Sequence, residues 1–267
     1  KWLLSEYMRL GFAGFIYDFK DTDYTRTAYN LIKRHRYPHK FYYVSFDRPE
    51  RSYRFNPLKV VRDRTELIQL MEDVLLALLP KKEQQNEWVA GGLGILRGVA
   101  FRFWDEFPEH CTLPHILAFI MTASARQLSL FLQQNLVSEM LAGAYLKAEG
   151  SEKTQASYLS TLCNNLATVS QNEEIAYVLS GDDFDFNLID PENPKLFAVS
   201  NNFSKNSVYA PVISMLMTIS ARQFSMQNRV PFVYFLDEMT TVNIKNFETL
   251  PSVLREYKAA FILLTQS

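Results

Sequence analysis

Two acidic residues directly follow the most apolar strand-like segment of the sequence. Residues 232–236 (FVYFL) lead into Asp237 and Glu238. Such a pair suits hydrolysis of a nucleoside triphosphate, because the first carboxylate can hold Mg²⁺ through water and the second can polarise the attacking water. Many α/β proteins also place acidic residues at strand ends beside helix N-termini, so the pair by itself leaves both interpretations open.

Polar residues also follow two other apolar segments. Residues 12–17 (FAGFIY) are followed by Asp18 and Lys20, and residues 259–264 (AAFILL) are followed shortly by Gln266. An amide at that place can sense a γ-phosphate or orient the attacking water. Because the reactive groups of an open parallel sheet collect at the carboxyl ends of its strands, we expect these residues to converge with the acidic pair.

The phosphate-binding sequence G-x-x-x-x-G-K-[ST] does not occur in the 267 residues. Its backbone amides would cradle phosphates just before a helix. The helix predicted at Lys1 has no N-cap signal of its own, and its position suits a helix that follows such a loop. We therefore expect the chain to be a fragment that starts just after this loop and that hydrolyses ATP poorly or not at all by itself.

A second glycine pattern has a structural interpretation. Gly92, Gly94 and Gly98 superficially resemble a dinucleotide-binding loop. No strand precedes them, and the third glycine comes one residue late. We interpret them as small residues that let helices pack closely.

The apolar periodicity places these motifs on a parallel sheet that is interrupted by helices. The predicted strands cover residues 12–17, 41–46, 196–200, 232–236 and 259–264, and helices are predicted over residues 25–35, 209–226 and 247–258. Between the second and third strands the pattern is helical throughout, over residues 66–79, 87–107, 113–136, 137–148 and 151–170. We predict an α/β fold in which residues 1–62 and 181–267 form the sheet domain and residues 63–180 form an inserted all-α domain.

The composition excludes several classes of protein. With 48% apolar and 21% charged residues, the sequence is neither a disordered tail nor a disulfide-stapled miniprotein. It has only two cysteines, Cys111 and Cys163, and no recognisable secretory leader, so we expect a reducing, intracellular setting. No segment reaches the roughly 18 consecutive apolar residues of a membrane helix, so we expect no membrane span within these residues.

The charge is unevenly distributed along the chain. Residues 1–62 carry 13 Lys and Arg against 6 Asp and Glu, whereas the remainder carries 15 against 23. Arg48, Arg51 and Arg54 lie near several tyrosines in the basic part and could contact nucleic-acid phosphates. An ordinary solvated surface explains them equally well. The acidic remainder restricts any DNA contact to a local site.

Arg255 lies near the end of the helix predicted after the acidic pair. A positive charge is favoured at a helix C-terminus, which gives one explanation. In a ring-shaped motor, an arginine at this place could instead reach the γ-phosphate bound by a neighbouring subunit. The sequence leaves both open.

The order of four motifs resembles that of a known family. The motifs are FIYDFKD at residues 15–21, FNPL at 55–58, FVYFLDE at 232–238 and R-x-x-K…T-Q-S at 255–267, with the helical insertion between the second and third. This order resembles the motor domain of type IV secretion coupling proteins, the TraG/TraD-type conjugation ATPases. It is most similar to the TraG-like proteins of Bacteroides-type conjugative elements.

The resemblance implies a RecA-like P-loop NTPase sheet, here without the P-loop, and an all-α domain that recognises substrate or DNA. It also implies a DNA-stimulated ATPase that uses ATP and Mg²⁺ and forms a homo-hexamer at the cytoplasmic face of the inner membrane. Its implied partners are single- or double-stranded DNA, relaxase and other relaxosome proteins, and the ATPases of the type IV secretion channel. The membrane anchor that family members carry is not in these residues.

The family motifs assign roles to particular residues. Asp237 matches the aspartate that holds Mg²⁺, and Glu238 matches the catalytic glutamate. Gln266 matches the glutamine motif, and Arg255 matches the arginine that acts in trans. Asp18 and a lysine two residues later, Lys20, match a D-x-K strand end.

Two alternatives remain open from the sequence. A DNA motor of the FtsK/HerA type would share the acidic strand end, but we expect it to lack the long helical insertion. A non-catalytic adaptor would use the helical domain to dock a relaxosome protein and keep the sheet only as a scaffold.

Overall fold

The sequence folds into two compact units. The computed structural model describes residues 1–20, 22–79, 84, 86–244 and 246–265. The first unit consists of Lys1–Phe55 together with Gly181–Ser267, and the second consists of Asn56–Ser180. The helical unit thus starts at Asn56 rather than at the expected residue 63, and the boundary lies inside the FNPL segment, whose Phe55 belongs to the sheet unit.

The first unit is an α/β unit built on a parallel sheet, as predicted. Its five described strands follow the order β2-β3-β1-β4-β5, and all neighbours are parallel. The central strands are buried along their whole length, which explains their unbroken apolar sequences. The strands are β1 (Ala13–Asp18), β2 (Lys40–Ser45), β3 (Lys195–Ser200), β4 (Phe232–Asp237) and β5 (Ala259–Leu264).

Helices cover the sheet, and the alternation of side chains along each strand divides its core into two faces. The face that carries Ile16 packs against Leu4 of α1 and Leu31 of α2. On the opposite face, Tyr234 contacts α11 through a 2.9 Å hydrogen bond between its hydroxyl and the hydroxyl of Ser220. The helices of this unit are α1 (Trp2–Arg9), α2 (Asp23–His35), α11 (Asn206–Arg222) and α12 (Leu250–Arg255).

The second unit is built from helices and contains no strand among its described residues. Its long central helix is α4, which packs against α3, α7 and α9. Among all described residues, no helix combines the length and the apolar composition that a membrane crossing requires. The helices are α3 (Arg64–Ala77), α4 (Glu87–Glu106), α5 (Leu113–Thr122), α6 (Ala125–Gln133), α7 (Leu136–Leu141), α8 (Gly143–Lys147), α9 (Glu152–Ser170) and α10 (Glu173–Leu179).

The helix predicted over residues 113–136 is wrong in one respect, because the structure contains two helices there. Ser124 is extended and caps α6, since its hydroxyl accepts the backbone N–H of Gln127 while the Gln127 side chain accepts the backbone N–H of Ser124. This capping box starts a new helix in the middle of an apolar pattern. Residues 137–148 are also divided, between α7 and α8, although no side-chain cap begins α8.

The glycines of α4 lie where this helix touches its neighbours, which confirms their interpretation as packing residues. A β-carbon on Gly94 would come within 2.8 Å of the carbonyl oxygen of Leu141, and one on Gly98 within 2.9 Å of that of Ser138. At these two positions, the backbone of α7 therefore lies closer to α4 than a residue with a β-carbon would allow.

Candidate functional site

The acidic residues singled out from the sequence meet at one edge of the sheet. Strands β1 and β4 are neighbours, and Tyr17 pairs with Leu236, so the next residues, Asp18 and Asp237, lie side by side at the carboxyl ends. Glu238 follows directly. Lys20 is exposed just beyond β1. Burial raises the pKa of Asp237, and the positive charge of Lys20 offsets this rise in part. The structure therefore brings four of the predicted site residues together.

Both aspartates are buried, and each has an unsatisfied oxygen. Asp18 is 0% exposed and Asp237 is 5% exposed. One carboxylate oxygen of Asp18 accepts the backbone N–H of Thr25 at 2.8 Å, which ties it to the first turn of α2. Oδ1 of Asp18 and Oδ2 of Asp237 have no donor at normal hydrogen-bond geometry among the described residues. Burial raises the pKa of both carboxyl groups. Weaker contacts, from the Thr25 hydroxyl and the Lys20 backbone to Asp18 and from the Phe19 backbone to Asp237, offset this rise only in part.

By their chemistry, two carboxylates at one edge of the sheet suit a hydrated Mg²⁺ ion. Magnesium prefers oxygen ligands and is usually held by one or two carboxylates, with water and phosphate oxygens completing its shell. The described residues contain no group of three or more His, Cys, Asp and Glu side chains that could hold a metal alone. A cation at this edge would therefore need water or a phosphate to complete its coordination.

Glu238 has an unusual backbone conformation. Its φ of 49° and ψ of 52° lie in the left-handed region, which a long side chain adopts only when the surroundings enforce it. Two hydrogen bonds from Thr241 hold its carbonyl oxygen, one from the backbone N–H at 2.9 Å and one from the hydroxyl at 2.7 Å. The side chain is half-buried. This turn fixes the direction in which the glutamate leaves β4.

A chain of hydrogen bonds connects the Glu238 turn to β1 and β3. Because the single hydroxyl proton of Thr241 goes to the Glu238 carbonyl, the Tyr17 hydroxyl must donate to Thr241 Oγ1, at 2.6 Å. The Tyr17 hydroxyl in turn accepts Nδ2 of Asn201 at 2.8 Å. The direction of donation is therefore fixed from β3 through β1 to the turn after β4.

The sequence did not predict three members of the site, Tyr17, Asn201 and Thr241. A signal existed for Asn201, because it directly follows the carboxyl end of β3, and the same rule had identified Asp18 and Asp237. Tyr17 and Thr241 gave no such signal, since their roles depend on contacts between distant parts of the chain.

Arg255 lies at the opposite edge of the sheet within the same chain. It is the exposed last residue of α12, and the carbonyl of nearby Lys258 accepts the backbone N–H of Phe232, the first residue of β4. A strand of 6 residues separates that point from Asp237, or roughly 20 Å at about 3.3 Å per residue. Arg255 is therefore not part of the acidic cluster of its own chain. Gln266 lies outside the described residues.

The three predicted DNA-binding arginines follow the edge strand β2. Arg48 is half-buried, and Arg51 is exposed, with its Nε 3.7 Å from the carboxylate of Glu50. The chain then turns back along β2, since the backbone N–H of Tyr53 donates to the carbonyl of Tyr43. Arg48 and Arg51 therefore lie towards the carboxyl edge of the sheet, whereas Arg54 lies beside the strand.

Comparison with solved structures identifies the fold. The bacterial conjugative coupling protein TrwBdeltaN70, in a trigonal form with sulphate, matches with a TM-score of 0.66 and 14% identity over 96% of this chain and 63% of that chain. TrwB in complex with ADP and Mg²⁺ matches with a TM-score of 0.64 and 13% identity, over 94% and 62%. TrwB in complex with the ATP analogue ADPNP also has a TM-score of 0.64, at 14% identity over 94% and 63%.

At this level of identity, the likeness shows a shared RecA-like fold with a helical unit. The chain spans about 63% of the length of the TrwB structure. No curated protein sequence matches the chain. A family model described as "Type IV secretory system Conjugative DNA transfer" matches residues 16–267. The chain therefore belongs to this family, the coupling proteins of type IV secretion.

Proposed function

We propose that this chain carries part of the ATPase site of a conjugative coupling protein, and that the full-length protein hydrolyses Mg²⁺-ATP at the carboxyl edge of this sheet. Without the phosphate-binding sequence, the 267 residues by themselves are expected to hydrolyse ATP poorly or not at all. The observation that carries the proposal is the pair of buried carboxylate oxygens on Asp18 and Asp237, which lack partners among the described residues and lie beside the constrained Glu238. Two of the matched TrwB structures contain ADP with Mg²⁺ and an ATP analogue. A nucleotide and its cation are the ligands that would satisfy such an edge.

Each residue of the cluster has a role in this proposal. Asp237 would hold Mg²⁺ through water, and Glu238 would orient the attacking water and accept its proton. When bound, the ion neutralises charge on the phosphates during phosphoryl transfer. Asp18 and Lys20 would complete the polar edge, with Lys20 supplying a positive charge near the phosphates.

Two further residues would complete the catalytic site. Gln266, just after β5, would sense the γ-phosphate. Arg255 lies at the far edge of the sheet within its own chain, so it can act only on a nucleotide bound to a neighbouring subunit. This is the role expected in a homo-hexameric ring, where an arginine supplied in trans stabilises the transition-state charge.

At the scale of the whole protein, hydrolysis would move DNA with its bound relaxase towards a type IV secretion channel at the inner membrane. The family description, conjugative DNA transfer, supports this direction. Arg48, Arg51 and Arg54 would contact DNA phosphates. The helical unit would recognise relaxosome proteins or DNA, and the channel ATPases would be the next partners.

Replacing Glu238 with glutamine tests the catalytic part of the proposal. The change keeps the size of the side chain but removes the proton acceptor, so we expect ATP turnover to fall about 100-fold or more while ATP binding is retained. Turnover would be measured with and without DNA on a protein of the full length of its relatives. Glu256→Gln is the matched control, because Glu256 is exposed at the far edge of the sheet.

The same variant distinguishes the adaptor alternative. A non-catalytic adaptor predicts that Glu238→Gln leaves DNA transfer between cells unchanged. A large loss of transfer with a normal melting curve would exclude the adaptor. Unchanged turnover and unchanged transfer would reject the catalytic role of Glu238, and a full-length wild type without ATP turnover would reject the proposed ATPase.

A further inference from the structure

Phe203 presents an aromatic ring to solvent at the carboxyl edge of the sheet. It is 82% exposed, the most exposed of the large hydrophobic side chains that the structure describes. It begins the 3-10 turn Phe203–Lys205, which follows β3. Its ring packs edge-to-face against the ring of Phe19, which lies just beyond β1, and the two ring centroids are 6.2 Å apart. The two rings form an aromatic step, which we call the Phe19–Phe203 pair.

The turn that carries Phe203 is held firmly by hydrogen bonds. The Asn202 side chain accepts the backbone N–H of Ser204 at 2.9 Å and its hydroxyl at 2.8 Å. The other end of the same amide donates to Asp47 Oδ2 at 2.7 Å, which ties the turn to the segment after β2. One residue earlier, the backbone N–H of Asn201 donates to the carbonyl of Asp18 at 2.8 Å. The ring is therefore exposed on a rigid support.

Basic residues flank the pair on both sides. Lys20 follows Phe19 and is exposed. On the other side, Lys205 Nζ forms an ion pair with Asp47 Oδ1 at 2.5 Å, and Arg48 follows Asp47 in the sequence, so these three residues together carry a net charge of +1. An exposed ring beside net positive charge is an arrangement with which proteins bind single-stranded nucleic acid, since bases stack on the ring and the charges contact the phosphates.

We propose that the Phe19–Phe203 pair is a base-stacking site for single-stranded DNA, with Phe203 as the stacking residue. This inference rests on the DNA-binding part of the proposed function and adds a residue that contacts bases rather than phosphates. Duplex DNA does not fit the site, because its base faces are covered by their neighbours. In a single strand the faces are open, and any base can stack, so the site binds without strong sequence preference.

The base of the hydrolysed nucleotide is a different ligand from this one. Phe203 follows β3, and β1 lies between β3 and β4, which carries Asp237. Two strand spacings separate β3 from β4, or about 10 Å. The DNA site and the proposed hydrolysis site thus share one edge of the sheet at separate strands.

The test measures the affinity of the full-length protein for a fluorescently labelled oligo(dT) strand by anisotropy, over a salt titration. We expect Phe203→Ala to weaken binding roughly 5- to 150-fold, the range for losing one stacked base. Because the ring carries no charge, the salt slope stays as in the wild type. Phe203→Trp restores affinity, and its fluorescence is quenched when the strand binds.

Met226→Ala is the matched control. Met226 is 80% exposed, but it lies in the segment before β4, at the opposite edge of the sheet. We expect its affinity for oligo(dT) to equal that of the wild type, and melting curves of all variants to coincide. A loss of affinity specific to Phe203→Ala, with rescue by Phe203→Trp, supports the site.

Three results would overturn the inference. The first is an equal affinity of Phe203→Ala and the wild type for oligo(dT), and the second is a failure of Phe203→Trp to restore the affinity. The third is a changed oligomer size of Phe203→Ala in sedimentation with unchanged DNA affinity, which would make the pair a contact between protein copies. Failure of the proposed ATPase is seen separately. A wild type that hydrolyses ATP but binds no oligo(dT) overturns the stacking site alone. If Phe203→Ala weakens DNA binding but the wild type shows no ATP turnover, the ATPase alone is rejected.

Discussion

The buried aspartates at the ends of β1 and β4 are costly for the folded protein. Each places a carboxylate away from water, and one oxygen of each lacks a hydrogen bond from the described residues. A buried polar group without a partner is stabilised neither by solvent nor by the protein. Such residues are expected where a ligand supplies the missing interaction. The cost is therefore an argument for function at these two positions.

This cost predicts that Asp237→Asn stabilises the protein in the absence of nucleotide and metal. Burial raises the pKa of Asp237, so the folded state holds its proton to higher pH than the unfolded state does. The free energy of unfolding therefore falls as the pH rises from about 3.9 through the folded-state pKa. At pH 7 we expect the variant to melt at a higher temperature than the wild type, by about 2–4 °C for each 1 kcal/mol added to its free energy of unfolding.

Thermal melting across pH 4 to 8 checks this prediction. The difference in melting temperature between Asp237→Asn and the wild type should grow with rising pH and then level off. Glu256→Gln removes a carboxylate from an exposed position and should show no such growth. A constant difference at all pH values would contradict a raised pKa at Asp237.

At the scale of elements, the helical unit is organised by the contact of α4 with α7 and α9. The glycines of α4 permit this contact because neighbouring atoms occupy the space where a β-carbon would lie. At Gly98, that space is shared by the carbonyl oxygen of Ser138 and by Cδ2 of Leu132, at 2.9 and 2.7 Å. The Ser138 hydroxyl also donates to the Gly98 carbonyl at 2.8 Å, which fixes the two helices together.

Gly98→Ala should consequently destabilise the protein, even though alanine is the better helix former. The added methyl group must displace backbone atoms of α7, and overpacking of this kind costs about 1–3 kcal/mol. Gly143→Ala is the matched control, because nothing lies within 4 Å of the added β-carbon. It should stabilise by about 0.4–1 kcal/mol through the reduced entropy of the unfolded chain. Urea unfolding of both variants measures the difference, and equal effects would contradict the packing role.

At the scale of the whole molecule, charge and topology place the proposed DNA surface. The basic excess lies within residues 1–62, which contain 13 Lys and Arg but only 6 Asp and Glu. The structure brings Arg48 and Arg51 from this segment towards the carboxyl edge, next to the turn that carries Phe203. Phosphate contacts and base stacking would thus occupy neighbouring strands of one sheet.

Charge reversal at Arg48 and Arg51 should weaken DNA binding and lower its salt dependence. Each lost phosphate contact reduces the slope of log K against log salt by about 0.7 for a single strand. Reversal of Lys33 and Arg34 changes the net charge equally, but these residues are exposed at the end of α2, at the opposite edge. Oligo(dT) anisotropy over a salt titration compares the two double variants. An identical slope in the Arg48 and Arg51 variant and the wild type would reject these contacts.

The elements and the polar residues at their ends follow from local sequence patterns. Apolar runs of strand length mark the buried parallel strands, and the polar residues that follow them, such as Asp18 and Asp237, mark the edge that carries the candidate site. Helical periodicity marks the insertion after β2. These features are local, because each depends on the residues within one element or directly beside it. The break between α5 and α6 was local too, but the capping residues at Ser124 lay within an apolar pattern that dominated the prediction.

Which elements are neighbours, and which contacts join them, follows from the tertiary structure and not from local patterns. β3 follows the helical insertion in the chain, yet it lies between β2 and β1 in the sheet. The hydrogen bond between Tyr17 and Thr241 spans 224 positions, and that between Asn201 and Tyr17 spans 184. The left-handed turn at Glu238 is enforced by Thr241 and its partners on these other strands. Such contacts leave no local pattern in the sequence, because they depend on the spatial order of the strands in the sheet and not on the preferences of any one segment.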